Sequence, residues 1–224
     1  MVTANAEYLE PLTKDNVAVL FVDNQTGLMS GVQSIDHTLL IRNTEALAEL
    51  ARLYRLPVVL TTTGGGASGP GGGLLPAITD AFPDVPVIDR MQYFNAMSDP
   101  SFAQAVQKTD RKKILISGIT TDYCVVYPAM SLIRAGAHVY VVTDTCGSWN
   151  QPIEESALAR LIQMGATPIN VQAVAGELQN SYAVSDRPGS LTVQPGLMAW
   201  FKTYGPATGL MLKGMEAAAK AAAR

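Results

Sequence analysis

The feature that most constrains this chain is a regular exchange between two kinds of apolar run. Short β-branched runs occur at "VAVLFVD" (17–23), "PVVLTTT" (57–63), "KKILISG" (112–118), "AHVYVVTD" (137–144) and "ATPINV" (166–171), with "VPVIDR" (85–90) a weaker sixth. Between them, residues 36–55, 100–109, 123–136 and 153–165 place apolar residues at helical spacing and end near glycine. The two strongest strand runs are apolar almost without alternation, as burial on both faces by covering helices requires. The expected fold is therefore α/β: a three-layer, Rossmann-like α/β/α arrangement around a mainly parallel sheet. With 224 residues the chain suits one domain rather than two, with a core over about 12–185 and an extension over 186–224.

In sheets of this kind ligands bind beyond the carboxyl ends of the strands. Four stretches fall there: "DNQTG" after the first strand, "GGGASGPGGG" after the second, "DRMQYFNAM" at the weak one and "TTDYC" after the 112–118 run. The glycine-rich stretch carries Gly64, Gly66 and Gly69 at GxGxxG spacing. A dinucleotide fingerprint must also open a helix, and here Pro70 and three more glycines follow, so a mobile surface loop is the better reading.

Composition removes several classes of function. Nearly half the residues are hydrophobic and the net charge is −3, which argues against disorder and against a basic nucleic-acid surface. No apolar run is long enough to span a bilayer and no signal-like segment opens the chain, so a cytoplasmic, membrane-free protein is expected. Two cysteines and two histidines exclude a disulfide framework and the usual zinc spacings, so no metal is expected.

Cys124 then stands out. Thr120, Thr121 and Asp122 are good N-cap types, which puts Cys124 in the first turn of a helix after a parallel strand. Free N–H groups and the helix dipole there favour a thiolate, and the same N–H groups could hold an oxyanion. The plain alternative is a buried cysteine acting as a small hydrophobe. His37 begins a helix in another loop and His138 lies inside a strand, so neither suits a Cys–His pair. Asp23, at the end of the first strand, is either a carboxylate beside the thiol or a turn-forming residue.

With "AVLFVDNQTGL" near the start and "ILISGITTDYCVVYPAMSLIRAGAHVYVVTDTCGS" in the second half, the chain resembles the isochorismatase-like cysteine hydrolase superfamily. "LPVVLTTT", "NAM" and "CVVYPAMSLI" make it most similar to the YcaC-like branch. The resemblance implies a catalytic triad of Asp23, Arg90 and Cys124, with Arg90 where much of the superfamily has lysine. It also implies a cis peptide joining Ile119 to Thr120, and an oxyanion hole made by the Thr120 and Cys124 amides. Gln25, Asn95 and Ile119 would line the substrate site, although Gln25 and Asn95 serve equally well as loop hydrogen-bonding residues. The implied activity is hydrolysis of a small amide, carbamoyl or related C–N bond, without a cofactor, in a homo-oligomer for which an octamer is one form.

Two other readings stay open. Cys146, at the same edge of the sheet, could resolve an oxidised Cys124 in a thiol/redox protein. Alternatively, the fold could persist as an inactive oligomeric scaffold. In the extension, "LTVQPGLMAWFKTYG" offers apolar groups for packing on neighbours, and Glu216 and Lys220 stand at i,i+4 on a final Ala-rich helix.

Overall fold

The computed structural model describes residues 10–180 and 194–222. Six strands form one parallel sheet: β1 (Val17–Val22), β2 (Val58–Thr63), β3 (Val87–Arg90), β4 (Lys113–Gly118), β5 (His138–Val142) and β6 (Thr167–Ile169). Their spatial order is β3-β2-β1-β4-β5-β6. The chain winds outward in one direction from β1 and in the other from β4, so the switch point lies between these two neighbours. In register, Val22 pairs with Gly118, and both strands therefore open onto the same crevice.

The unalternated strands have the expected cause. Every residue of β1 is buried, and alternate side chains serve opposite layers. Val17, Val19 and Phe21 face α2 (His37–Leu53), α3 (Pro76–Ala81) and α7 (Val171–Gln179). Ala18, Leu20 and Val22 face α4 (Pro100–Lys108), α5 (Val126–Arg134) and α6 (Gln151–Gln163). Side-chain caps start four of these helices: Asp36 accepts from Leu39 N–H, Asp99 from Ser101 and Phe102 N–H, Asn150 from Ile153 N–H, and Asn170 from Ala173 N–H.

The structure adds helices that the apolar pattern did not suggest. Thr26–Gly31 (α1) and α3 span six residues each, too few to establish a helical period. The run 166–171 is divided, because Asn170 caps α7 and leaves β6 only three residues. Part of the C-terminal segment packs on the chain itself. Helix α8 (Leu197–Tyr204) packs its Leu197 and Trp200 into the chain's own core instead of offering them to a neighbour. Trp200 Nε1 donates to the Ala46 carbonyl on α2 at 2.8 Å. In α9 (Pro206–Ala222), Glu216 pairs back to Lys202 on α8. Residues 186–193 and 223–224 of the expected extension lie outside the described residues.

Trp200→Ala empties a buried indole site and removes the side-chain hydrogen bond that ties α8 to the Ala46 carbonyl inside α2. It is expected to lower unfolding free energy by about 3 kcal/mol or more in urea titration. An effect below about 1 kcal/mol would show that α8 does not belong to the core.

Candidate active site

Three side chains meet at the switch point. Asp23 follows β1 with φ +59°, a left-handed conformation that aspartate tolerates better than most residues, and its carboxylate is fully buried. Arg90 ends β3 and is fully buried as well, reaching across β2 to β1. Its Nη2 donates towards both Asp23 oxygens, Nε donates to Thr61 Oγ1 at 2.8 Å, and Nη1 donates to the Tyr93 and Phe94 carbonyls at 2.8 and 3.4 Å. All five guanidinium N–H groups are thus directed at partners. Thr61 completes the chain of bonds by donating to the Ile88 carbonyl at 2.7 Å.

Cys124 sits close to Asp23, only 8 % exposed, with its thiol within the electrostatic reach of that carboxylate. The turn that carries it, Thr121–Val125, is a widened π-type turn: Cys124 N–H and Val125 N–H both donate to the Thr120 carbonyl, at 2.8 and 3.3 Å. Thr120 gives no side-chain cap, and the Ile119–Thr120 peptide is cis. The Cys124 amide is therefore engaged within its own turn in the resting chain.

The electrostatics correct one expectation. Burial pushes the Cys124 thiol well above the ordinary range, and the adjacent Asp23 carboxylate pushes it further than Arg90 and the turn pull it back. The resting group is a thiol, not a thiolate stabilised by the helix dipole. Burial also raises the Asp23 carboxyl, opposed by Arg90 and by the neighbouring thiol. Protonating Asp23 would leave the buried guanidinium charge without a counter-ion, so Asp23 stays a carboxylate at neutral pH. The two neighbours thus carry opposite roles at rest: an ionised carboxyl and a protonated thiol.

The three residues expected to contact substrate have other work here. Gln25 is fully buried, and its side-chain amide is spent on main chain: Nε2 donates to the Thr63 and Gly72 carbonyls, and Oε1 accepts from Thr63 N–H at 2.8 Å. Asn95 accepts from Met97 N–H and donates to Ser131 Oγ, joining the loop after β3 to α5. Ile119 is wholly enclosed in the core. These contacts favour the loop-bonding reading for Gln25 and Asn95. The glycine-rich segment is also not a free loop. It opens no helix beyond the single 3-10 turn Gly66–Ser68, and Gln25, with Gly27 N–H donating to Gly71 O, holds it against α1.

Cys146 does not offer a resolving thiol. It is buried, its Sγ lies against the Ile116 carbonyl, and burial together with Glu154 pushes its pKa up. Among the described residues no group of three His, Cys, Asp or Glu side chains could hold a metal ion, and no helix is long and apolar enough to cross a membrane.

Several participants escaped the sequence reading. Thr61 seats Arg90, while Asn24 donates to Ser117 Oγ and Ser117 donates to Thr145 O, tying the ends of β1, β4 and β5. The polar run "TTT" closing an otherwise apolar strand was the available signal. Met91, Phe94 and Tyr123 are exposed apolar groups on the segments that carry Arg90 and Cys124, with the Phe94 and Tyr123 rings 5.7 Å apart.

Fold and site together define a parallel α/β protein with a carboxylate–thiol pair at the switch point, the carboxylate anchored by a buried arginine. Residues 17–173 match the isochorismatase domain, and the chain belongs to that family. It is 40% identical over 171 residues to "Probable hydrolase YcaC" of Escherichia coli (strain K12), covering 76% of this chain and 81% of that one. Among solved structures it is similar to YcaC from Pseudomonas aeruginosa, which carries hexane-2,5-diol and covalent acrylamide. That match has 34% identity and a TM-score of 0.84 over 92% of this chain and 98% of the other. It is likewise similar to the Escherichia coli YcaC gene product, described as an octameric hydrolase of unknown specificity, with 35% identity and a TM-score of 0.84 over 92% and 97% of the two chains.

Two outcomes follow for Cys124. Because burial and Asp23 both disfavour the thiolate, alkylation by iodoacetamide is expected to rise only above the ordinary thiol pKa of about 8.5. In Asp23→Asn the negative neighbour is gone and Arg90 remains, so the midpoint moves down. Peptide mass spectrometry across pH reads both, and a wild-type midpoint below that of the variant would overturn the electrostatic assignment.

Proposed function

We propose that this chain is a cysteine hydrolase of a small amide, carbamoyl or related C–N bond. The observation that carries the reading is the Asp23 carboxylate, fully buried between the Arg90 guanidinium and the Cys124 thiol. A carboxylate so held can take a proton from sulfur without changing place. The covalent acrylamide of the Pseudomonas relative and the hydrolase names of its relatives support the same direction.

The steps follow from the contacts. Asp23 removes the thiol proton as Cys124 Sγ bonds to the substrate carbonyl carbon, so a thiolate is generated only as it is consumed. The oxyanion that forms is held by the Thr120 amide and by the Cys124 N–H, the latter shared with its present acceptor, the Thr120 carbonyl. The protonated Asp23 returns the proton to the departing nitrogen as the C–N bond breaks, leaving a thioester. Water then attacks the thioester, Asp23 accepts its proton, and the acid departs as the thiol is restored.

Arg90 contributes charge and position, since a guanidinium does not deprotonate and all its donors are committed. The exposed rim of Met91, Phe94 and Tyr123 beside this crevice suits a homo-oligomer of the kind its octameric relative forms.

The test is release of ammonia or amine from a panel of small amides and carbamoyl compounds, with intact-mass detection of an acyl adduct. Cys124→Ala is expected to abolish turnover and adduct alike. Asp23→Asn should lower turnover by about 10²-fold or more, the ordinary worth of a positioned base. Turnover that persists in Cys124→Ala would sink the covalent route.

Arg90→Met should destabilise by about 3–5 kcal/mol, because it strands the buried Asp23 carboxylate. Chemical denaturation reads this directly, and a loss under about 1 kcal/mol would show that the pair is not desolvated.

A further inference from the structure

A second buried carboxyl stands behind the catalytic turn, and the proposed chemistry does not use it. Glu154, in the first turn of α6, is 7 % exposed and has no lysine, arginine or histidine partner among the described residues. Its Oε2 accepts the Ser148 hydroxyl at 2.7 Å, and Ser148 is itself fully buried. Next to Ser148, the Gly147 carbonyl accepts Thr121 N–H at 3.0 Å, and Gly147 bridges Ile119 across the strand ends. Thr121 Oγ1 is buried beside the Glu154 carboxyl without a well-formed hydrogen bond of its own. These contacts bracket the residues on both sides of Thr120.

We propose that Glu154 is a positioning residue: through Ser148 and Thr121 it holds the loop at 147–148 and the Thr120–Cys124 turn in the placement that brings the thiol to Asp23. The inference rests on reading Cys124 as the nucleophile, and the same geometry explains why the carboxyl is tolerated. An unpaired carboxylate at this depth is costly, and burial with Asp122 nearby raises its pKa, while Ser148 and Thr121 oppose the rise. Cys146, whose thiol also feels Glu154, keeps its own proton because burial and that neighbour both raise its pKa. A neutral carboxyl could keep Ser148 as donor and offer its own proton to Thr121 Oγ1, the one hydroxyl there that lacks a partner.

An amide does the same without titrating, so Glu154→Gln should preserve the arrangement, whereas Glu154→Leu keeps the bulk and loses the Ser148 bond and the polar neighbour of Thr121 Oγ1. The experiment compares wild type, Glu154→Gln, Glu154→Leu and Ser148→Ala by amide hydrogen exchange and by the pH midpoint of Cys124 alkylation with iodoacetamide. Circular dichroism verifies the fold. Exchange in peptides covering 119–125 is expected to quicken by about tenfold in Glu154→Leu and Ser148→Ala, the scale of one lost buried hydrogen bond, and to stay within about twofold in Glu154→Gln. The Cys124 midpoint should fall towards the ordinary thiol range in Glu154→Leu and Ser148→Ala, since a displaced turn loses both burial and the nearby Asp23 charge.

Unchanged exchange and midpoint in Glu154→Leu would overturn the proposal, as would an equal disturbance in Glu154→Gln. If Glu154→Leu does not fold, Ser148→Ala breaks the same bond from the other side and carries the decision. Neither readout requires turnover, so absent hydrolysis in wild type would count against the proposed chemistry and not against this role.

Discussion

The buried pair of Asp23 and Arg90 is the interaction on which the site depends. Taking two charges out of water costs several kcal/mol per ion, and mutual attraction alone rarely repays it. Here the remaining donors of the guanidinium are matched one by one: a threonine hydroxyl from the intervening strand and two carbonyls from the loop that follows β3. The pairing is therefore also a structural rule. It requires β3 to run parallel beside β2 in the register that sets Thr63 opposite Arg90, with Thr61 two residues earlier to receive Nε.

Anchored this way, the carboxylate controls the sulfur. A thiolate waiting at a helix N-terminus and a thiol beside a fixed carboxylate are different devices. The first is reactive at all times, and the second becomes so only when an electrophile arrives to accept the electron pair. Burial of Cys124 and the direction of its pKa favour the second under the proposed chemistry. The widened turn contributes as well, since its N–H groups converge on the Thr120 carbonyl and leave the dipole end less open than a standard first turn would.

Much of this was legible in the residues. Unalternated apolar runs announced the doubly covered sheet, and the position of polar residues past the strand ends pointed to Asp23 and Cys124, while Arg90 was implied by the resemblance. What remained hidden was hidden for physical reasons. Gln25 looked like a ligand contact because it follows Asp23, yet its amide matches the main-chain groups of two converging loops, a pairing set by distance in space and not in sequence. The direction of the Cys124 pKa depends on how deeply the thiol is enclosed, which no local motif encodes. The indole of Trp200 read as an exposed group in a C-terminal extension, because only the packed chain brings Ala46 to its N–H.

The arginine at position 90 gains its meaning from the same geometry. A lysine there would bring three donors on one nitrogen, enough for the carboxylate and little else, and it could give up a proton when buried. Arginine forgoes the proton and gains reach: one planar group touches β1, β2 and the Tyr93–Phe94 main chain at once. The loop whose carbonyls it holds also presents the Phe94 ring to Tyr123 at the mouth of the crevice. The residue that fixes the Asp23 carboxylate thus fixes part of the rim, so a change at position 90 alters the surroundings of Cys124 as well as the charge it meets.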